Sequence, residues 1–323
     1  MTRSRTRGLF KIVEKDEFKH EWRNYPEHHN ESWYFNFIDF HTNTHMVTRV
    51  GYRLGAKEIE IMLLLVVDGD NEEYFNRSKV EGFPIDDAYG DNKLKYKCLE
   101  PMKKWQITYD DENFEIDVIF EERFKPYIYM SQENPLEALK KYGEEILKKL
   151  LAVAASKHYE QGMNVTGVVK IKENGQIKEE RQINCYGHRD HSWGLRDWIL
   201  IDKWNWIACQ FDDCTINSSR VEVFGTVITQ GFISTTDNQE PVTDVEVETE
   251  YGYEGNDSIP KSSSFKITTP TRKFIIVTNP QKSLYIQRPT ERGLTEVHEQ
   301  IVKFEMDGKK GYGISEYMKS TRN

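Results

Sequence analysis

The dipeptide Asn174-Gly175, set between strand-like runs at 159–172 and 176–186, constrains the fold of this chain more than any other feature. Asn-Gly tolerates positive φ at both central positions of a two-residue turn, so it predicts a type I′ hairpin between antiparallel strands. The same rhythm continues on both sides. Runs at 32–40, 46–54, 58–67 and 71–80 are punctuated by Gly55-Ala56 and Asp68-Gly69, and a Gly/Pro/Asp-rich loop over 81–92 precedes runs at 94–99, 103–110 and 114–124. In Phe114-Glu115-Ile116-Asp117-Val118 the alternation is clean, one face apolar and one polar. Further runs at 204–211, 220–230, 242–253, 264–269, 273–278, 283–287, 295–306 and 311–318 follow, with 256–264 linker-like. Short strands at regular spacing predict antiparallel sandwiches or barrels, not a parallel sheet.

One segment departs from this pattern. Asn134 suits an N-cap, Pro135 the first helical position and Glu137 a capping box, and Leu136, Leu139, Ile146, Leu147, Leu150 and Leu151 form an apolar stripe. The expected organisation is all-β: an N-terminal unit over 1–133, a linking α-helix over 134–157 and a C-terminal unit over 158–323.

With 323 residues, core burial is not limiting. A net charge of -9 gives no basic footprint for nucleic acid. The longest uninterrupted apolar run, Ile61 to Val67, suits a buried strand and is far too short for a membrane helix. Cys98, Cys185, Cys209 and Cys214 match no zinc spacing and follow no signal peptide, so reduced thiols and a cytoplasmic location are expected.

The chemistry concentrates between Gly187 and Trp198, where twelve residues hold two each of His, Asp, Arg and Trp. Neither helical nor strand hydropathy periodicity is visible in them. Buried charge is costly unless paired, so such a stretch is either fully solvated or held in a site, and its tryptophans argue for a site. Asp190 has two readings. In an apolar cavity, burial would keep its carboxyl protonated and able to donate a proton. Alternatively, Asp190 pairs with Arg189 or Arg196 and pins a loop. Glu160 shares a strand face with His158, Asn164 and Thr166, while Tyr159, Met163, Val165 and Val169 share the other. A polar barrel interior would bring Glu160 beside Asp190; a solvent face is the alternative. Trp198, Trp204 and Trp206 follow directly and could wall a cavity or fill a core. His188, His191 and the pair His41/His45 raise a metal reading. Thr42-Asn43-Thr44 looks like a turn, however, and no metal is expected. The chain has no nucleotide-binding glycine loop, no Gly-x-Ser-x-Gly elbow and no useful Cys-His spacing, which disfavours hydride transfer, phosphoryl transfer and serine hydrolysis.

The run Arg189-Asp190-His191-Ser192-Trp193-Gly194 resembles a motif of the carotenoid 1,2-hydratase (hydroxyneurosporene synthase), AttH-like and tocopherol-cyclase-like superfamily. His158-Tyr159-Glu160-Gln161-Gly162 is similar to its aromatic-x-Glu-Gly strand, and Gly311-Tyr312-Gly313-Ile314-Ser315-Glu316-Tyr317 to its C-terminal Gly-x-Gly-x-x-Glu signature. Glu31-Ser32-Trp33-Tyr34-Phe35 through Asp39 resembles the first strand of uncharacterised relatives. The resemblance implies two lipocalin-like β-barrels and a place among enzymes that protonate or cyclise isoprenoid chains, pericyclases and lipid carriers. It would make Asp190 the proton donor, with His191 and Trp193 positioning it and shielding the cation. The local spelling around Asp190 differs from that of the hydratases.

The expected function is therefore cofactor-independent, acid-catalysed hydration or cyclisation of an apolar, isoprenoid-like molecule in an aromatic-lined barrel pocket. This is hydratase or isomerase/cyclase chemistry, and a non-catalytic lipid or pigment carrier is the rival. The expected catalytic residues are Asp190, His191 and Glu160. The expected substrate contacts are Trp193, Trp198, Trp204, Trp206, Tyr34, His158 and Arg189. The expected partner is a hydrophobic small molecule, with no integral membrane segment and with peripheral membrane contact as a route for substrate uptake.

Overall fold

Asn174 and Gly175 both take positive φ, 53° and 75°, and join two strands of 18 and 20 residues into one long hairpin. The computed structural model describes residues 12–129, 156–253 and 256–323; the helix expected over 134–157 lies outside them. The hairpin belongs to an eleven-stranded antiparallel sheet. Its strands are β1 (His29–Asp39), β2 (Thr44–Arg53), β3 (Glu58–Val67), β4 (Asp70–Lys79), β5 (Ala88–Gly90), β6 (Leu94–Glu100), β7 (Lys104–Asp110), β8 (Phe114–Glu122), β9 (Tyr127–Ile128), β10 (Ser156–Glu173) and β11 (Gln176–Leu195). They are ordered β4-β3-β2-β1-β11-β10-β8-β7-β6-β5, with β9 on β10. The second sheet holds β12 (Lys203–Gln210), β13 (Thr215–Val223), β14 (Thr226–Ser234), β15 (Gln239–Pro241), β16 (Asp244–Tyr253), β17 (Asn256–Thr268), β18 (Lys273–Thr290), β19 (Gly293–Met306) and β20 (Lys309–Arg322). Its order is β15-β14-β13-β12-β20-β19-β18-β17-β16.

Each sheet curls around its own core as a half-barrel, consistent with a double-lipocalin fold. Trp33, Phe35, Trp105, Phe120 and Met163 fill the first; Phe211, Ile216, Phe265 and Phe304 fill the second. A third cluster joins the two sheets back to back through Ile38, Val47, Leu64, Trp206, Ile301 and Ile314. This arrangement explains the apolar run in β3. Ile61, Leu63 and Leu65 face the first core, and Met62, Leu64 and Val66 face the second sheet, so no position is left for a polar side chain.

Three sequence expectations change. The two units meet between β11 and β12 instead of at 134–157, because β10 and β11 pair with β8 and β1 in the first sheet. The linker-like 256–264 is part of β17, and the run at 220–230 is two strands turning at Phe224-Gly225, both with positive φ. No helix among the described residues is long and apolar enough to cross a membrane.

Candidate functional site

Gly187 to Leu195 is the terminal half of β11, the strand between β1 and β10, and it does alternate. Gly187, Arg189, His191 and Trp193 point into the first half-barrel; His188, Asp190 and Ser192 point toward the second. Hydropathy hid this period because both faces are polar.

On the inward face Arg189 is fully buried and bidentate on Glu17, a residue of a short 3-10 turn (Glu14–Glu17) that reaches into the half-barrel. Trp105 Nε1 and Tyr159 Oη donate to the same carboxylate at 2.9 and 2.8 Å. Burial alone would raise the Glu17 carboxyl, but Arg189 holds it below its ordinary value. His191 lies between Trp33, stacked at 4.5 Å, and Glu31, 3.2 Å from Nε2.

The outward face belongs to a row crossing five strands. Glu160, Asp190, Tyr34, Arg49 and Met62 are successive cross-strand partners on β10, β11, β1, β2 and β3. The second sheet opposes it with Trp206, Glu316 and Glu299 on β12, β20 and β19, and behind these Trp204, Met318, Val297 and Ile286. Between the rows lies a cavity with about 90 Å³ open to the centres of water molecules; Trp198, Arg196 and Arg288 complete its wall. The cavity therefore sits between the two half-barrels, not inside either, because both interiors are filled by their own aromatic cores.

Two carboxyl systems face this cavity. Glu160 accepts from His188 Nε2 at 2.7 Å, His158 Nε2 at 3.0 Å, Trp206 Nε1 at 3.4 Å and Asn217, which in turn accepts from Tyr129. Burial pushes the Glu160 carboxyl up, but the hydrogen bonds and charges of His158 and His188 outweigh it and bring it down to about 2. His158 also contacts Asp190 Oδ2 at 2.8 Å and stacks on Tyr129 at 4.5 Å. Burial opposes its charge, yet Asp190 and Glu160 together push it up to about 9. Imidazolium His158 is thus the donor and Asp190 the acceptor.

The second system is the pair Glu299 and Glu316. Burial raises both, and their mutual charge raises Glu316 well above the ordinary value. Glu316 donates to Glu299, which also accepts from Tyr34 Oη at 2.7 Å across the two sheets. Two carboxyls in contact, Glu299 buried and Glu316 half-buried at the cavity wall, resist a second ionisation, so the pair favours keeping a proton. At the same cavity Arg49 and Arg288 lie 3.6 and 3.3 Å from Glu60, which burial would raise but arginines bring down to about 2.

Of the residues the sequence singled out, Asp190, Glu160, Tyr34, Trp198, Trp204 and Trp206 line the cavity, and His158 bridges the first two. Arg189, His191 and Trp193 do not line it, since the pleat turns them into the first half-barrel. Arg189 pairs with Glu17, not Asp190. His188 and His191 lie on opposite faces of β11 and cannot share a metal ion. Sequence reasoning missed Glu299, Arg49 and Arg288, and quoted Glu316 without giving it a role. The missing signal was a glutamate on an apolar strand face: Val297, Glu299, Ile301 and Ile314, Glu316, Met318. Among the described residues, two groups have the donor geometry for a metal: His158, Glu160 and Asp190, and His20, Glu31 and His191.

The fold recurs in solved structures. The protein NE1406 of Nitrosomonas europaea, assigned as an AttH, aligns with a TM-score of 0.63 at 12% identity, covering 90% of this chain and 92% of its own. Kievitone hydratase from Nectria haematococca aligns at 0.62 and 12% identity, covering 90% and 89%. CghA in complex with Sch210972 aligns at 0.60 and 10% identity, covering 92% and 89%. At these identities the likeness concerns the fold. No curated protein matches the sequence. A family model does, over residues 13–321, and the chain accordingly belongs to the family described as a domain of unknown function, DUF7064.

Proposed function

We propose that the cavity between the half-barrels protonates a small apolar molecule, hydrating or cyclising it by acid–base chemistry with no cofactor. The observation that carries this reading is the pairing of two carboxyls, Glu316 and Glu299, at the wall of a cavity lined by Trp198, Trp204 and Trp206, where burial and mutual charge favour keeping a proton. A neutral carboxylic acid kept at neutral pH can donate to an alkene or an enol ether, and the tryptophan faces stabilise the cation that forms. On the opposing wall, Asp190 can accept the proton of an attacking water or hydroxyl, while Glu160, filled by four donors, anchors His158 beside it. As the proton leaves, Tyr34 keeps its hydrogen bond to Glu299 and the charges of Arg288 and Arg196 offset the second carboxylate until solvent returns a proton. This reverses the role that the hydratase resemblance implied for Asp190. Kievitone hydratase has the same fold, and a hydration on this scaffold supports the reading without naming the substrate.

The test begins with solvent extraction and native mass spectrometry of the purified chain to identify a retained ligand. That ligand, or its alkene precursor, is then incubated with the protein in D2O. Glu316→Gln should retain the ligand and lose deuterium incorporation. Unchanged ligand with no deuterium in the wild-type protein would instead make the chain a carrier.

A further inference from the structure

His20, Glu31 and His191 form a second cluster, on the inward face of the first sheet and away from the cavity. Glu31 and His191 are fully buried, whereas the His20 side chain keeps 19% of its exposure, so the cluster has a route to solvent. His20 Nδ1 and His191 Nε2 converge on the same Glu31 oxygen, Oε1, at 2.8 and 3.2 Å, and all three donor atoms lie within 4.8 Å of one another. Adjacent ligands at about 2.0–2.1 Å from one first-row ion stand roughly 2.9–3.4 Å apart, so the spacing already matches two edges of a coordination polyhedron.

The remaining ring nitrogens supply an independent observation. His20 Nε2 faces Asp16 Oδ1 at 3.4 Å, and His191 Nδ1 faces Tyr159 Oη at 3.3 Å. The Tyr159 proton is directed to Glu17 at 2.8 Å. Each ring thus has one nitrogen on Glu31 and the other on an outer oxygen. With the ring protons on the outer nitrogens, Asp16 and Tyr159 are the acceptors and two lone pairs face one ion beside a carboxylate oxygen. That is the inner and outer shell of a two-histidine, one-carboxylate site. Both rings are fixed by stacking, His20 on Trp193 at 4.0 Å and 9°, His191 on Trp33 at 4.5 Å and 17°. The cluster of His158, Glu160 and Asp190 offers one imidazole only, and Trp206, Asn217 and His188 already donate to its glutamate.

We infer that His20 Nδ1, Glu31 Oε1 and His191 Nε2 bind a divalent transition ion of the zinc class, clamping the segment around His20 to the central strands β1 and β11. The site is independent of the acid–base reading of the cavity. The test uses tag-free, chelator-stripped full chain titrated with Co2+ by visible absorption and with Zn2+ by calorimetry. One equivalent should bind per chain, with the ligand-field bands of an N/O site, and Zn2+ should protect His20 from diethyl pyrocarbonate. His20→Ala and Glu31→Gln should each weaken binding at least tenfold, and His158→Asn should leave it unchanged. Three results would each overturn the assignment: no stoichiometric binding, binding indifferent to His20→Ala and Glu31→Gln, or binding abolished by His158→Asn. The protection readout keeps the outcome decisive if a variant melts early.

Discussion

On the inward face of β11, Arg189 is matched by Glu17, and the pair is closed in by Trp105 and Tyr159; on the outward face, Asp190 and Glu160 share His158 at the edge of a cavity. Alternate residues of one strand thus serve two purposes. The inward Arg189–Glu17 pair is sealed and complementary, which makes it costly to disturb and leaves it no ligand to meet. Outward charges face a space that a ligand can enter, opposite a carboxyl pair that retains a proton. What separates structure from chemistry here is whether the partner group is itself a fixed part of the core.

The strongest way to break that contrast is on the inward face. Arg189→Met strands the Glu17 carboxylate in a dry core, and breaking such a pair costs about 3–5 kcal/mol. A thermal melt should show a drop on the order of 10 °C. A variant that melts with the wild type would mean that the inward pair is no more structural than the outward one.

Next in size is the acid. Glu316→Gln keeps a donor toward Glu299 but no transferable proton, so turnover of the extracted ligand or its precursor should fall by roughly 10²–10⁴. Its stability effect runs the other way. Because the folded pair binds its proton more tightly than the unfolded chain does, wild-type stability falls as pH rises from about the ordinary carboxyl value of 4.5. Glu316→Gln removes that slope and should melt above the wild type in mildly alkaline buffer.

His158 sharpens the outward face. Its folded value of about 9 exceeds the ordinary 6.5, so its contribution is fully present below 6.5 and is lost as pH rises through about 9. Denaturant titrations across that window should show the loss in wild type and a flatter profile in His158→Asn. The smallest effect is expected for Asp190→Asn. His158 keeps Glu160 at 3.0 Å and Arg196 keeps the charge of Glu160, so neither cation is left without a carboxylate, and the destabilisation should stay below that of Arg189→Met. A cost matching that of Arg189→Met would erase the distinction between the faces.

Much of this was legible in the residues. Asn174-Gly175 announced the central hairpin, and the His158/Glu160 face was correctly separated from the Tyr159/Met163 face by the strand period. The stretch 187–198 was recognisable as special by its charge density. Its alternation was not, because a strand polar on both faces has no hydropathy period. Nor was the cavity's position: nothing local says that the back of a half-barrel will meet another back, although the unbroken apolar run of β3 is what such a strand requires. Glu299 and Glu316 stand on adjacent strands joined by a turn at Asp307-Gly308, so their contact depends on register. Glu17 lies outside every strand and carries no periodic signal at all.

The proposed chemistry requires a carboxyl of the Glu299–Glu316 pair to keep its proton at neutral pH. Infrared difference spectra between wild type and Glu316→Gln read this directly and need no substrate. At neutral pH the wild type should show a protonated-carboxyl carbonyl band that is absent from the variant. A spectrum in which both glutamates are ionised, with no such band lost on substitution, would contradict it.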